Sequence, residues 1–403
     1  MTAIVGVLNK HAISIAADSA VTLGSGKKVM NSANKLFALS KHHPVAIAVY
    51  GNAELIGTPW ETIIKEFRND FSDQSCDNLQ GYADAFFQFL EKKNFYCTEF
   101  EALLFLKQSI EILYRSIIQF TQQDVQQITD FFEQAEKQID FLNGFSEDTE
   151  TFIKKEASQE LQNVAQQFIQ VGVGFEETRI VDIIVSMFTK SVPLVCSSGI
   201  VIAGYGENEI YPSLFHYSIG NVINGHLASM PYQPIVIDKV KNTSSICPFA
   251  QTDVMQTILY GIAPQVMNIY MKSLNQTFNK MKVELAKIIA PKDKDLANQV
   301  ESLDIEPFAQ MFAKLSRTAQ GKQYTSPFIN SVASLEKEDL ADFAESLITL
   351  TSLKRKVSPD QETVGGPVDV MVISKGDGII WMKRKHYFKP ELNHHFFDNY
   401  FNH

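Results

Sequence analysis

Thr2 stands directly behind the initiator Met1, and that position gives a hydroxyl residue a chemistry it has nowhere else in a chain. Removal of Met1, normal when the next residue is small, frees an α-amine beside the Thr2 hydroxyl. One residue then holds both a nucleophile and its base. A hydroxyl is a weak nucleophile at its free pKa and needs such a partner. The reference pKa of an α-amine, roughly 7.7–8.0, is close to neutral pH, so a modest depression would leave much of it unprotonated. General-base assistance is worth about 10² to 10⁴ in rate, so a retained Met1 is expected nearly to abolish turnover. Taken alone, Thr2 is also simply the second residue of an edge strand. On spacing alone Asp18 and Lys35 read as a strand-end turn residue and a surface lysine.

Other candidates for chemistry are weaker. Gly24 to Lys28 has the look of a phosphate loop, but Val21 stands where the motif needs its first glycine. His42-His43 and His394-His395 are adjacent pairs, whereas ligands on one helix face need a spacing near four. Four cysteines, Cys76, Cys97, Cys196 and Cys247, are far apart and form no CxxC pair, which suggests buried thiols. No metal or organic cofactor is expected. The 36 basic and 46 acidic residues leave a formal charge of −10, which argues against nucleic-acid binding. Lys383-Arg384-Lys385-His386 is one short basic cluster, and the aromatic tail after it reads as a docking segment. With no spanning apolar run and no basic leader with a long apolar core, neither membrane insertion nor secretion is expected, and the chain reads as cytoplasmic.

These residues need a frame. A length of 403 residues is enough for two to three units of roughly 150 residues each. Ala3 to Leu8, Ala12 to Ala17, Leu36 to Leu39 and Val45 to Tyr50 are short apolar runs, several apolar on both faces, as strands between two layers are. Ile56, Trp60, Ile63, Ile64 and Phe67 then recur at helical spacing. Residues 72–192 read as helical, with stripes at Leu103 to Phe120, Val125 to Leu142 and Leu161 to Val171; a helical hairpin would bury the first two. Strands return at Gly199 to Gly206, Leu214 to Ile219 and Ile235 to Val240. A helix is expected over Thr252 to about Ile289, then a polar stretch to Lys322. Ser334 reads as the N-cap of a further helix, and Val368 to Ser374 and Ile379 to Lys383 as a hairpin turned by Asp377-Gly378.

Six ordered segments carry a resemblance: Thr2 to Val7, Ala16-Ala17-Asp18-Ser19, Asn34-Lys35-Leu36-Phe37, Ala48 to Ala53, Val201 to Tyr205, and Gly365 to Ile373. They resemble proteasome β-type subunits and the proteasome-like peptidase of bacterial ATP-dependent proteases. The resemblance implies an N-terminal-nucleophile hydrolase of α+β class, a four-layer αββα sandwich with two helical insertions. Its discontinuous domain would comprise residues 2–70, 197–262 and 335–385. The insertions would be 72–192 and 263–334, with a tail at 386–403.

The same resemblance implies a site. Thr2 would attack, Lys35 would supply positive potential, and Asp18 would orient Lys35. Ser245, in a Ser-rich segment that also reads as a loop capping a helix, would support the threonine. A backbone N–H of Val49, Tyr50 or Gly51 would bind the oxyanion. Asp360 and Thr363 would replace an Asp and a Ser that relatives carry before Gly365-Gly366. The implied activity is hydrolysis of a peptide or protein substrate through an acyl-enzyme. A homo-oligomer, with a ring among the options, and a separate ATPase are the implied partners. Two rivals stand beside it: a structural subunit without turnover, motivated by the altered segment from Lys356 to Val364, and an amidase for a small substrate.

Overall fold

The computed structural model describes residues 2–23, 28–93, 96–192, 197–358, 364–386 and 388–394. It is a mixed α and β chain built on two antiparallel sheets. The first runs in the order Ser244–Ala250, Ala3–Asn9, Ile13–Ala17, Asp369–Ser374, Gly378–Lys383. The second runs His226–Pro231, Ser213–Ile223, Ser198–Gly204, Val45–Gly51, Leu36–Ala38, with Ile235–Val236 paired to the start of Ser213–Ile223.

Successive side chains of a strand face opposite ways, and in Ala3–Asn9 both directions are apolar. Ile4 and Leu8 share a core with Ala46, Ala48, Val201 and Leu214 of the second sheet. Ala3, Val5 and Val7 pack instead with Leu340, Ala344 and Leu347 of the helix Lys337–Val357 and with Met255 of the helix Asp253–Tyr260. On its other face the second sheet buries Val45, Ile47 and Ile202 against Trp60, Ile63 and Phe67 of Trp60–Phe71 and Phe86 of Leu79–Lys93. Each such side chain contributes about 1.5–3 kcal/mol when fully buried. The two central strands, Ala3–Asn9 and Ile13–Ala17, are buried throughout as a result. Gly6 leaves room between the sheets for Leu214, since a Cβ there would sit 2.9 Å from Leu214 Cδ1.

Beyond Leu79–Lys93, the first helical segment continues through Glu99–Thr121, Val125–Glu136, Glu147–Glu156, Ser158–Val171 and Glu177–Thr189. It has a core of its own: Leu106, Ile110 and Leu113 meet Ile128, Phe132, Phe168 and Ile184. A capping box at Thr98 and Glu101 starts its longest helix. Phe120, at the end of the first stripe, is 78% exposed; in the second, Ile139 is 75% exposed although Leu142 beyond it is buried in the same core. The second segment, Pro264–Ile289, Lys294–Glu301 and Glu306–Gln320, buries a single alanine per helix.

Several expected boundaries move. The helix expected over Thr252 to Ile289 is two helices, because Gly261 takes a left-handed turn at φ +71° and Pro264 opens the next. The strand expected to reach Val240 stops at Val236, where the Asp238 carboxylate accepts from the N–H groups of Val240, Lys241 and Asn242. Glu336, rather than Ser334, is the N-cap of Lys337–Val357. The strand His226–Pro231 was not anticipated, although Asn224-Gly225, both at positive φ, is a strong hairpin signal.

Candidate active site

Asp18 is the first residue after the strand Ile13–Ala17 and is 1% exposed. Its Oδ1 accepts from the Ala3 N–H at 2.9 Å and from Lys35 Nζ at 2.6 Å. Its Oδ2 accepts from the N–H groups of Ala20 at 3.1 Å and Gly365 at 3.2 Å. Four donors match the roughly four lone-pair sites of a carboxylate. The side chain therefore ties together the start of the first strand, the turn after the second, and the segment before Asp369–Ser374.

Lys35 is 4% exposed, not the surface lysine its spacing alone would suggest. Its ammonium also donates to Ala20 O at 2.6 Å. Burial pushes the Lys35 pKa below the usual lysine range, while the Asp18 charge and hydrogen bond oppose that shift. A second, largely buried pair lies near: Lys385 lowers and Asp369 raises the Lys35 pKa, and Lys385 Nζ is itself ion-paired to Asp369.

Thr2 precedes the residue that Asp18 holds, and its carbonyl accepts from the Gln251 N–H at 3.2 Å. It is 5% exposed and lines an open cavity of about 410 Å³ with Tyr50, Gly51, Gln251, Thr252 and Asp253. Gln265, from the second helical segment, and Arg355 complete one wall, where Asp253 accepts from Lys354 Nζ at 2.9 Å and Arg355 Nη2 at 2.7 Å.

The strand Val45–Gly51 brings the oxyanion candidates. The Val49 N–H donates to Lys35 O at 2.9 Å, and the Asn52 N–H donates to Ser197 O at 3.2 Å. Alternate residues of a strand direct their N–H groups to the same side. Gly51 therefore shares the side of Val49 but lies one step past Lys35. Its φ is +81°, and a Cβ there would lie 2.7 Å from Ser197 O, so the position requires glycine. The Tyr50 ring occupies space that only Gly199 leaves open, because a Cβ at Gly199 would fall 2.0 Å from Tyr50 Cζ. Its hydroxyl is 2.5 Å from His216 Nε2. Burial holds the His216 pKa at about 4 and pushes the Tyr50 phenol up.

The structure thus joins Asp18, Lys35 and the start of the first strand, and puts Thr2 and Gly51 on one cavity. Two expectations are corrected. Ser245 lies in the strand Ser244–Ala250, paired with Leu8, six residues along the antiparallel ladder from Thr2, or roughly 20 Å. Gln251 and Thr252, at the opposite end of that strand, stand beside Thr2 instead. The Val49 N–H is already committed to Lys35 O and is not a free oxyanion donor. Asp360, Thr363, Met1, the loop at 24–27 and the tail from 395 lie outside the described residues.

Sequence reasoning also missed Asp253, Gln265 and Arg355. The start of the helix expected from Thr252, which places an acidic residue in the first turn, would have pointed to the first of these. Among the described residues, no group of three or more His, Cys, Asp or Glu could hold a metal ion, and no helix is long and apolar enough to cross a membrane.

No family model matches the chain, and neither does any curated protein. Similar solved structures include a mutant of Anbu from Hyphomicrobium sp. strain MC1, 8% identical, with a TM-score of 0.32 over 99% of this chain and 94% of that one. Anbu, the ancestral beta-subunit, from Yersinia bercovieri is 8% identical at TM-score 0.30 over 98% and 94%. The helical assembly of the Anbu complex from Pseudomonas aeruginosa is 9% identical at TM-score 0.30 over 98% and 93%. These findings correct the family resemblance drawn from the motifs. Neither a family model nor a curated relative supports proteasome β-type subunits or the bacterial proteasome-like peptidase, and the structural neighbours are Anbu proteins at a likeness too loose to carry an argument.

Proposed function

We propose that the chain is an N-terminal-threonine hydrolase of peptide or amide bonds, active once Met1 is removed. The observation that carries this reading is the buried Asp18–Lys35 pair, whose carboxylate also grips the Ala3 N–H and so ties the residue after Thr2 to a fixed positive charge. The two sheets with helices on both outer faces read as a four-layer αββα sandwich, which would hold this constellation between its inner layers.

In the proposed reaction the Thr2 hydroxyl oxygen attacks the substrate carbonyl and its proton passes to the Thr2 α-amine. The Gly51 N–H takes the role of oxyanion donor, because the Val49 N–H is occupied and Gly51 lines the cavity. Collapse of the tetrahedral intermediate breaks the carbon–nitrogen bond, and the leaving amine departs with the proton held by the α-amine. Water then attacks the ester, and its proton passes through the same amine back to the Thr2 oxygen. Lys35 contributes positive potential that disfavours protonation of the α-amine and favours the developing alkoxide. Asp18 acts through Lys35 and positions it.

The test is mass spectrometry of the purified chain with and without a peptide epoxyketone, which reacts with both hydroxyl and amine of a free N-terminal threonine. Loss of Met1 with a doubly attached adduct at Thr2 is the expected result; an unlabelled Thr2 in a chain lacking Met1 would refute the reading.

A structural subunit without turnover is favoured by a different observation. The helices Pro264–Ile289 and Glu306–Gln320 expose Ile269, Tyr270, Ile288, Met311 and Leu315, each more than half. Large exposed apolar surface marks contact with another protein. Self-association, as a homo-oligomer, is proposed under either reading, with a ring as one arrangement. A separate ATPase would be needed to unfold large substrates.

A further inference from the structure

Away from the Thr2 cavity, a second cavity of about 220 Å³ opens beside the edge strand Leu36–Ala38, between the helix Trp60–Phe71 and the residues that follow Gly378–Lys383. Lys65, Arg68, Arg384 and Lys385 line it, against the carboxylates Glu61 and Asp369. Four cations against two carboxylates give this lining a charge of +2, in a chain whose formal charge is −10. Each carboxylate already has a lysine: Lys65 Nζ meets Glu61 Oε1 at 2.5 Å, and Lys385 holds the buried Asp369 through both Nζ and its backbone N–H. The Arg384 guanidinium lies 4.5 Å over the Trp381 ring, which restrains it at the rim. A restrained guanidinium presents a planar fork that matches the oxygens of a phosphate or carboxylate.

We propose that this cavity binds a small oxyanion carrying at least two negative charges, a phosphate or a polycarboxylate. The built element is the contrast between a base formed by the buried Asp369 and its partly buried partner Lys385 and a cationic rim made by Lys65, Arg68 and Arg384. The helix Trp60–Phe71 carries Lys65 and Arg68 on one side of that rim, and the residues that follow Gly378–Lys383 carry Arg384 on the other. Lys385 and Asp369 also act electrostatically on Lys35, but anion binding is read directly by calorimetry and Thr2 reactivity by labelling, so failure of one reading is distinguishable from failure of the other.

The experiment is titration calorimetry of the whole chain with inorganic phosphate, pyrophosphate and citrate at constant ionic strength, repeated on Arg384→Gln and Lys65→Gln. Both substituted side chains are exposed, and circular dichroism checks that each variant is folded. Saturable binding of one anion per chain, weakened at least about tenfold in either variant, is expected. Binding of phosphate or pyrophosphate but not citrate would place the ligand among phosphates, and the reverse among polycarboxylates. No saturable heat with any of the three, or an affinity unchanged in both folded variants, would overturn the proposal.

Discussion

Asp18 and Lys35 form a buried pair, and such a pair is costly to break from either side. Removing one partner leaves a charge stranded in a low-dielectric interior, worth about 3–5 kcal/mol. Asp18→Ala is expected to lose stability on that scale, because it also strands the N–H groups of Ala3, Ala20 and Gly365. Chemical denaturation measures it, and an unchanged midpoint would mean that the pair is not formed. Lys35→Met keeps the apolar stem and removes the charge. It is expected to slow epoxyketone labelling of Thr2 by about 10² or more, on the scale of losing one electrostatic stabiliser. His216 makes a separate prediction. Its native pKa of about 4 lies below the ordinary value of 6.5, so between those values the unfolded chain binds a proton that the folded chain does not. Stability should therefore fall as the pH drops from about 6.5 toward 4, by no more than about 1.4 kcal/mol per pH unit. His216→Gln should flatten that dependence in thermal melts at several pH values; an equally steep fall in the variant would assign it elsewhere.

The strand Val45–Gly51 and its neighbours set the geometry around Thr2 through close backbone approach. Gly199 makes room for the Tyr50 ring, and Gly51 turns the end of the strand against Ser197. Gly199→Ala is expected to destabilise the chain by about 1–3 kcal/mol through overpacking and to slow Thr2 labelling as Tyr50 and the adjoining Gly51 shift. Wild-type labelling in a folded Gly199→Ala chain would show that the Tyr50 ring has no part in placing Gly51. At this level the apolar periodicity of Trp60, Ile63, Ile64 and Phe67 was readable, because a helix writes its buried face into local spacing. The strand Ser244–Ala250 was not, because Ser244, Ser245 and Pro248 imitate a loop. It is a strand by virtue of pairing with Ala3–Asn9, more than two hundred residues away in the chain.

Across the whole molecule the two helical segments differ in how they are satisfied. Residues 106–189 bury large side chains in a core of their own, whereas Pro264–Ile289 and Glu306–Gln320 bury only Ala286 and Ala309. Sedimentation velocity is expected to show a species heavier than one chain, shifting toward the monomer when Ile269, Ile288 and Leu315 are changed together to Gln. A monomer at all concentrations would remove self-association from the reading.

From the order of residues alone came the position of Thr2 behind Met1, most central strands, the helical character of the long segments and the identity of Asp18 and Lys35 as residues worth following. Those features are local, or depend on position in the chain. Asp18 collecting three donors from three distant segments, the Lys35 ammonium held out of water, the Val49 N–H spent on Lys35 and Ser245 set at the far end of its strand from Thr2 all depend on non-local pairing. A register is chosen by the sum of contacts across both sheets. No run of neighbouring residues carries that sum.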